Sequence, residues 1–178
     1  MSDESVPTVK YPYLKNMVGF KVDEESMKAV PHAKAELYVH VTTKFAQAFA
    51  IIGCMAGAGL GAVRPGKCPV KGFLNGGRNG MLLGLPAGVL ATYARMAQVK
   101  GSDQDVDMEY AFYDRSYRLR HNRTQVRVDT TSYIGLSAGV LAGAVSSAAY
   151  GPLQLGATGL VAGTLAASVY NYATATSD

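Results

Sequence analysis

At 178 residues the chain has the length of one domain. Only 17% of it is charged, against roughly 25% in a typical soluble domain, and Thr130 to Ser177 forms a run of 48 residues without Asp, Glu, Lys or Arg. The formal net charge is +4, but acids and bases are mixed in the N-terminal arm and between residues 100 and 129. This mixing excludes a nucleic-acid footprint, and two cysteines are too few for a disulfide framework.

The N-terminal arm, residues 1–38, reads as extramembrane. Its first 36 residues contain no apolar run of secretory-signal type, and Asp3, Glu4, Asp23, Glu24 and Glu25 argue against an acid-poor transit peptide. Targeting information for an organellar protein of this kind is expected inside the chain.

Residues 46–63 (AQAFAIIGCMAGAGLGAV) predict a first membrane span and residues 73–94 a second. Between them Arg64-Pro65-Gly66-Lys67-Cys68-Pro69 holds two prolines and a glycine, a strong stop between antiparallel helices. Arg64, Lys67 and Lys71 make the 64–71 loop basic, with no acid between Val63 and Arg95. Lys and Arg in short loops mark the inner side of a membrane, which in a mitochondrion is the matrix. Cys54 falls in the apolar run and Cys68 in the loop, and they read as a buried small hydrophobe and a reduced thiol. Pro86 removes one backbone hydrogen bond inside the second span and predicts a bend there. Arg78 is the one charge within that span. It reads either as snorkelling to the inner interface or as meeting a partner or polar cavity together with Asn75.

The long connection, residues 97–129, reads as a hydrophilic loop; Lys100 to Asp129 contains six acids and six bases. Within AFYDRSYRLRHNRTQVRVD (111–129), Arg115, Arg118, Arg120, Arg123 and Arg127 are interleaved with Phe112, Tyr113 and Tyr117. This pattern predicts contact with anionic lipid head groups, such as cardiolipin, or with an acidic neighbour. The alternative is a solvated loop balanced by Asp103, Asp105, Asp107 and Glu109. Asn122-Arg123-Thr124 is a glycosylation sequon that would be used only on a secretory-pathway protein. Residues 131–150 and 152–173 predict the third and fourth spans, with Tyr150-Gly151-Pro152 as the turn and 174–178 as a tail. An even number of spans places both termini on the side of the 97–129 loop, opposite the basic loop.

All four spans carry glycine at four-residue spacing: Gly53, Gly57 and Gly61; Gly72, Gly76, Gly80, Gly84 and Gly88; Gly135, Gly139 and Gly143, continued by Ser147 and Gly151; and Gly159 and Gly163, followed by Ala167. Lipid tails are as apolar as leucine, so helix association in a bilayer rests on van der Waals contact, which glycine permits at close range. The expected fold is therefore an all-α membrane protein of four glycine-zipper helices in two hairpins, with an extramembrane arm and a long central loop. No chemistry-bearing constellation accompanies it. His32, His40 and His121 are scattered, and there is no CxxC, HExxH, GxSxG or phosphate-loop lysine. No enzyme activity, cofactor or metal is expected.

These features resemble the mitochondrial inner-membrane translocase (Tim) superfamily of four-helix proteins. SYIGLSAGVLAGA (132–144) is similar to the third span of its complex I accessory branch, and YGPLQLGATGLVAGTLAAS (150–168) to the fourth; the resemblance covers roughly residues 40–173. Translocase subunits carry an arginine, three intervening residues, an aspartate and then GxxxG. Here Gly139 and Gly143 fit, Asp129 lies two residues too far from Gly139, and Gln125 stands where the arginine would fall. The resemblance thus implies the accessory branch of respiratory complex I. It implies a non-catalytic subunit of the membrane arm with both termini in the intermembrane space. Its partners would be other membrane-arm subunits, phospholipid, and complex III in a supercomplex. The rival expectations are a translocase or transport subunit with a polar path at Arg78, and a tetraspan scaffold of another membrane.

Overall fold

A computed structural model describes residues 12–102, 105–145 and 150–175. The described residues form seven helices and no strand: α1 (Pro12–Met17), α2 (Glu24–Lys28), α3 (Ala33–Val63), α4 (Pro69–Ser102), α5 (Met108–His121), α6 (Arg123–Val145) and α7 (Pro152–Ala175). The expected start of the arm (1–11, with Asp3 and Glu4), Asp103, Ser147 and the last residues of the tail (176–178) lie outside the described residues.

Sequence punctuation sets the long helices. α3 stops at Val63 because Arg64 precedes Pro65 and takes an extended backbone (φ −95°, ψ 122°), and Gly66 turns the chain at φ 73°. Proline opens both α4 and α7, where a missing N–H is no loss. α4 then continues through Pro86 without interruption.

Two hairpins result, α3 with α4 and α6 with α7, and α7 lies against α4 and α3. A side-chain carbon built on Gly53, Gly57, Gly72 or Gly76 would run into the carbonyl group of Gly76, Gly72, Gly57 or Gly53 across the first hairpin. Gly80, Gly84 and Gly88 meet the backbone at Phe49, Phe45 and Thr42, and Gly61 meets that of Cys68 and Pro69. In the second hairpin Gly135 faces Gly159, Gly139 faces Leu155, Gly143 faces Pro152 and Gly163 faces Thr131. Each site would have to push backbone, not a flexible side chain, to admit a methyl group. The hairpins share a core of Ala46, Ala50, Cys54, Met81, Ala157, Leu160 and Val161.

The 97–129 segment departs from the expected loop. α4 runs on to Ser102, α5 occupies residues 108–121, and α6 begins at Arg123, eight residues before the expected third span. Asp107 caps α5 by accepting from the Glu109 and Tyr110 amides (2.9 and 3.3 Å). Glu109 in the first turn and Arg118, Arg120 and His121 in the last complement the helix dipole. Asn122 closes α5 with its amide and caps α6 with its side-chain oxygen, 3.1 Å from the Gln125 nitrogen. α5 packs on α3 and α4 through a second, smaller core of Leu37, Met96 and Ala111, flanked by Val41, Val99, Phe112 and Leu119.

Two of the four expected spans, α3 and α7, contain an apolar stretch long enough to cross a bilayer by length and composition. α4 and α6 fall short of that criterion. α4 carries Asn75, Arg78, Asn79 and Arg95, and α6 spends its first ten residues on RTQVRVDTTS, with residues 146–149 beyond its described end.

Candidate functional site

α3 is apolar overall, yet His40, Thr43, Lys44 and Gln47 keep the i, i+3, i+4, i+7 spacing that puts side chains on one helix face. The polar first turns of α6 present Asp129, Ser132 and Tyr133 to that face. His40 Nδ1 lies 2.8 Å from Asp129 Oδ2, and Lys44 Nζ donates to Oδ1 at 2.7 Å. Gln47 Nε2 donates to Ser132 Oγ at 2.8 Å and reaches Asp129 Oδ1 at 3.4 Å. Ser132 Oγ donates to the Asp129 carbonyl, and Thr43 is hydrogen-bonded to the Tyr133 hydroxyl. Asp129 is 2% exposed and Ser132 has no exposed surface, so the carboxylate at the centre of the seam is buried, while Lys44 and Tyr133 are half-buried at its edge.

The seam lies where the third span is expected to begin, at the end of the bundle covered by α1. Thr130 donates to the Met17 carbonyl, and buried Tyr13 packs at the same end. Burial alone would raise the Asp129 carboxyl. The hydrogen bonds and charges of His40 and Lys44 outweigh it and hold the group below the ordinary carboxylate range. Burial pushes the Tyr13 phenol far up, with Asp129, Tyr133 and Glu36 adding to the shift, so it remains a protonated donor. Among the described residues no buried side-chain polar atom lacks a partner.

A second buried charge explains how the arm is held. Arg120 is 1% exposed; its Nε donates to Glu36 Oε2 at 2.8 Å and its Nη2 to Glu36 Oε1. Its Nη1 donates to the carbonyls of Ser26, Met27 and Ala29 (3.1, 3.2 and 2.7 Å), and its own carbonyl accepts from Asn16 (3.0 Å). The guanidinium thus ties α2 and the start of α3 to α5, and the same residue's backbone carbonyl holds α1. Arg120 is therefore not the lipid- or partner-facing arginine expected from its surroundings. Its rigid fork of N–H donors fits one carboxylate and three carbonyls, and each of its three nitrogens has a partner inside the protein.

The other expected contact residues scatter. Arg115 is half-buried and donates to the Ala111 carbonyl (3.0 Å), while exposed Arg118 pairs with Asp114. Arg123 is exposed. Arg127 donates to Asn171 Oδ1 and stacks over Tyr170, 4.7 Å from the ring centroid, which joins α6 to α7. Arg78 is half-buried and grips the adjacent Asn79 (3.0 and 2.9 Å), while Asn75 accepts from Gln154 of α7 (2.6 Å). Arg78 and Asn75 therefore have different partners. Both cysteines are free, Cys54 buried and Cys68 exposed. Among the described residues no group of three or more His, Cys, Asp or Glu comes together.

In the sequence His40 reads as scattered and the seam goes unseen; the signal that could have found it is four polar residues at helical spacing in an apolar helix. Its partner, Asp129, lies 89 residues from His40 and carries no local signal. Taken together, the geometry ties elements to one another: each buried charge joins segments distant in sequence. Residues 13–174 match a family described as a protein of unknown function, DUF1757. No curated protein matches the chain.

Proposed function

The chain belongs to the DUF1757 family, whose function is unknown, and we propose that it is a non-catalytic accessory subunit of the membrane arm of mitochondrial NADH:ubiquinone oxidoreductase, complex I. In this reading it spans the inner membrane four times and supports assembly, stability, and lipid or supercomplex contacts. Both termini and the 97–129 segment face the intermembrane space, and the 64–71 loop faces the matrix. The observation that carries it is the internal use of polar chemistry. Asp129 and Arg120 are spent on joining helices, and the helices themselves meet backbone to backbone.

Four spans are favoured although two helices are the more apolar. α4 is zipped to α3 from Gly72 to Gly88, and α6 to α7 from Thr131 to Gly143, so each polar helix shares the depth of its apolar partner. The most apolar windows of α3 and α7 are only 28% and 39% buried, unlike the core helix of a soluble fold. Ile52, Leu83, Leu90, Ile134, Leu141 and Val169 are likewise more than half exposed, as lipid-facing side chains are. Blue-native separation of mitochondrial membranes tests the assignment: the protein should co-migrate with complex I or its assembly intermediates. Migration wholly outside respiratory complexes sinks it.

One observation favours the translocase reading. α4 turns Lys71, Asn75 and Asn79 toward a groove beside α3, a polar wall at membrane depth. Arg78 holds Asn79 of that wall (3.0 and 2.9 Å), so in this reading Arg78→Ala should impair precursor import while complex I levels stay intact.

A further inference from the structure

The outer side of the α3/α4 hairpin holds a groove of about 720 Å³. Its floor is the paired glycine backbone from Gly53 to Gly76. Phe49, Ile52 and Leu60 of α3 form an apolar wall, and Leu83 closes one end. The other end opens among Arg64, Lys67 and Lys71. From Phe49 to Gly61 the groove follows α3 for about 18 Å at 1.5 Å per residue, slightly more than one leaflet of a hydrocarbon core roughly 30 Å thick. α7 packs mainly on other faces of α3 and α4 and reaches the groove wall where Gln154 donates to Asn75 (2.6 Å).

The mouth is strongly one-signed. No Asp or Glu occurs between Glu36 and Asp103. Arg64, Lys67 and Lys71 are exposed, and among the described residues none of them takes part in an ion pair. Asn75 and Asn79 follow Lys71 at four-residue steps down the α4 wall. The sequence of surfaces is thus cation, then amide, then hydrocarbon, along a slot as long as one acyl chain.

We propose that this groove is a binding site for an anionic phospholipid of the bilayer. The phosphate sits among Arg64, Lys67 and Lys71, the ester region lies beside Asn75 and Asn79, and one acyl chain runs along the glycine floor toward Leu83. The proposal rests on the membrane reading given above but not on the identity of the host complex. A glycine floor serves both ends: the notch that lets two helices touch on one side leaves a slot on the other.

The full chain purified in mild detergent and reconstituted with mixed phosphatidylglycerol and phosphatidylcholine tests it, with bound lipid read by native mass spectrometry. The wild type should retain phosphatidylglycerol in preference to phosphatidylcholine. Each basic residue near the head group contributes roughly fivefold, so Arg64→Gln, Lys67→Gln and Lys71→Gln together should reduce the preference on the order of a hundredfold. Ala56→Trp fills the slot from an exposed position on α3 and should expel the lipid while leaving the cations and the helix content intact. If Ala56→Trp keeps wild-type lipid while the triple variant loses it, the head group binds the loop alone and the groove assignment is overturned. If Ala56→Trp abolishes co-migration with a larger complex without changing bound lipid, the groove holds a partner helix and the proposal is likewise overturned. Selective lipid retention by a protein that migrates outside respiratory complexes would support this site and remove the complex I assignment.

Discussion

Asp129 is the residue on which the seam depends, because it alone supplies a charge to satisfy Lys44 and an acceptor for His40. Its folded carboxyl titrates below the ordinary carboxylate range. The unfolded chain therefore binds the proton more readily, and the stabilisation is complete above the ordinary value, about pH 4. It drains away as pH falls through the lower folded value. Asp129→Asn should lower stability at neutral pH by about 2 kcal/mol, less than for a fully buried pair because the freed Lys44 ammonium is 27% exposed and can reach water. It should also flatten the acid limb of the stability curve. Thermal unfolding in detergent between pH 3 and pH 7 checks this; parallel curves for variant and wild type would rule out the linkage. At this scale the sequence was partly legible. The polar face at His40, Thr43, Lys44 and Gln47 can be read from spacing, whereas Arg120 looks locally like its neighbours Arg118 and Arg123. Only the tertiary fold, which brings Glu36 and three carbonyls to it, makes Arg120 structural.

Among the elements, the glycine rows were legible because one physical requirement, close backbone approach, repeats at helical spacing. The structure further separates glycines that touch from those that do not. Gly76 lies against the Gly53 carbonyl, but a side chain at Gly59 would meet nothing within 4 Å. Gly59→Ala should therefore be neutral or stabilise the helix by about 0.5–1 kcal/mol. Gly76→Ala should weaken the first hairpin, and Gly80→Leu or Gly139→Leu should block stable assembly by pushing on backbone at Phe49 or Leu155. Protein yield and melting temperature across the four variants read this out; equal behaviour of Gly59→Ala and Gly76→Ala would mean the row faces lipid. α5 was less legible. Its charges read as a solvated loop, while its helix signals were the Asp107 cap and the placement of acids at its start and bases at its end. The apolar positions that dock it, Ala111 and Leu119, are few, and the surface they cover belongs to distant parts of α3 and α4.

For the whole molecule, the polar chemistry is gathered at one end. α1, α2, α5, the Arg120 clamp and the Asp129 seam all lie toward the arm and the central segment, while the other end of the first hairpin carries the basic 64–71 turn and the smaller polar contacts of Asn75, Arg78 and Asn79. In the proposed topology a molecule so divided is oriented by its ends: the large folded end would resist translocation back through the bilayer, and the small cationic loop would mark the inner side. The two cysteines convert this asymmetry into a measurement. Cys68 is exposed in the loop and Cys54 is buried 1% exposed in the core, so an impermeant maleimide should react at one position per chain. In mitochondria stripped of their outer membrane, the proposed topology predicts no labelling until the inner membrane is permeabilised. Cys68→Ser should then abolish the permeabilised signal, which assigns it to the loop. Labelling before permeabilisation would invert the orientation, and with it the leaflet in which the cationic mouth of the α3/α4 groove opens.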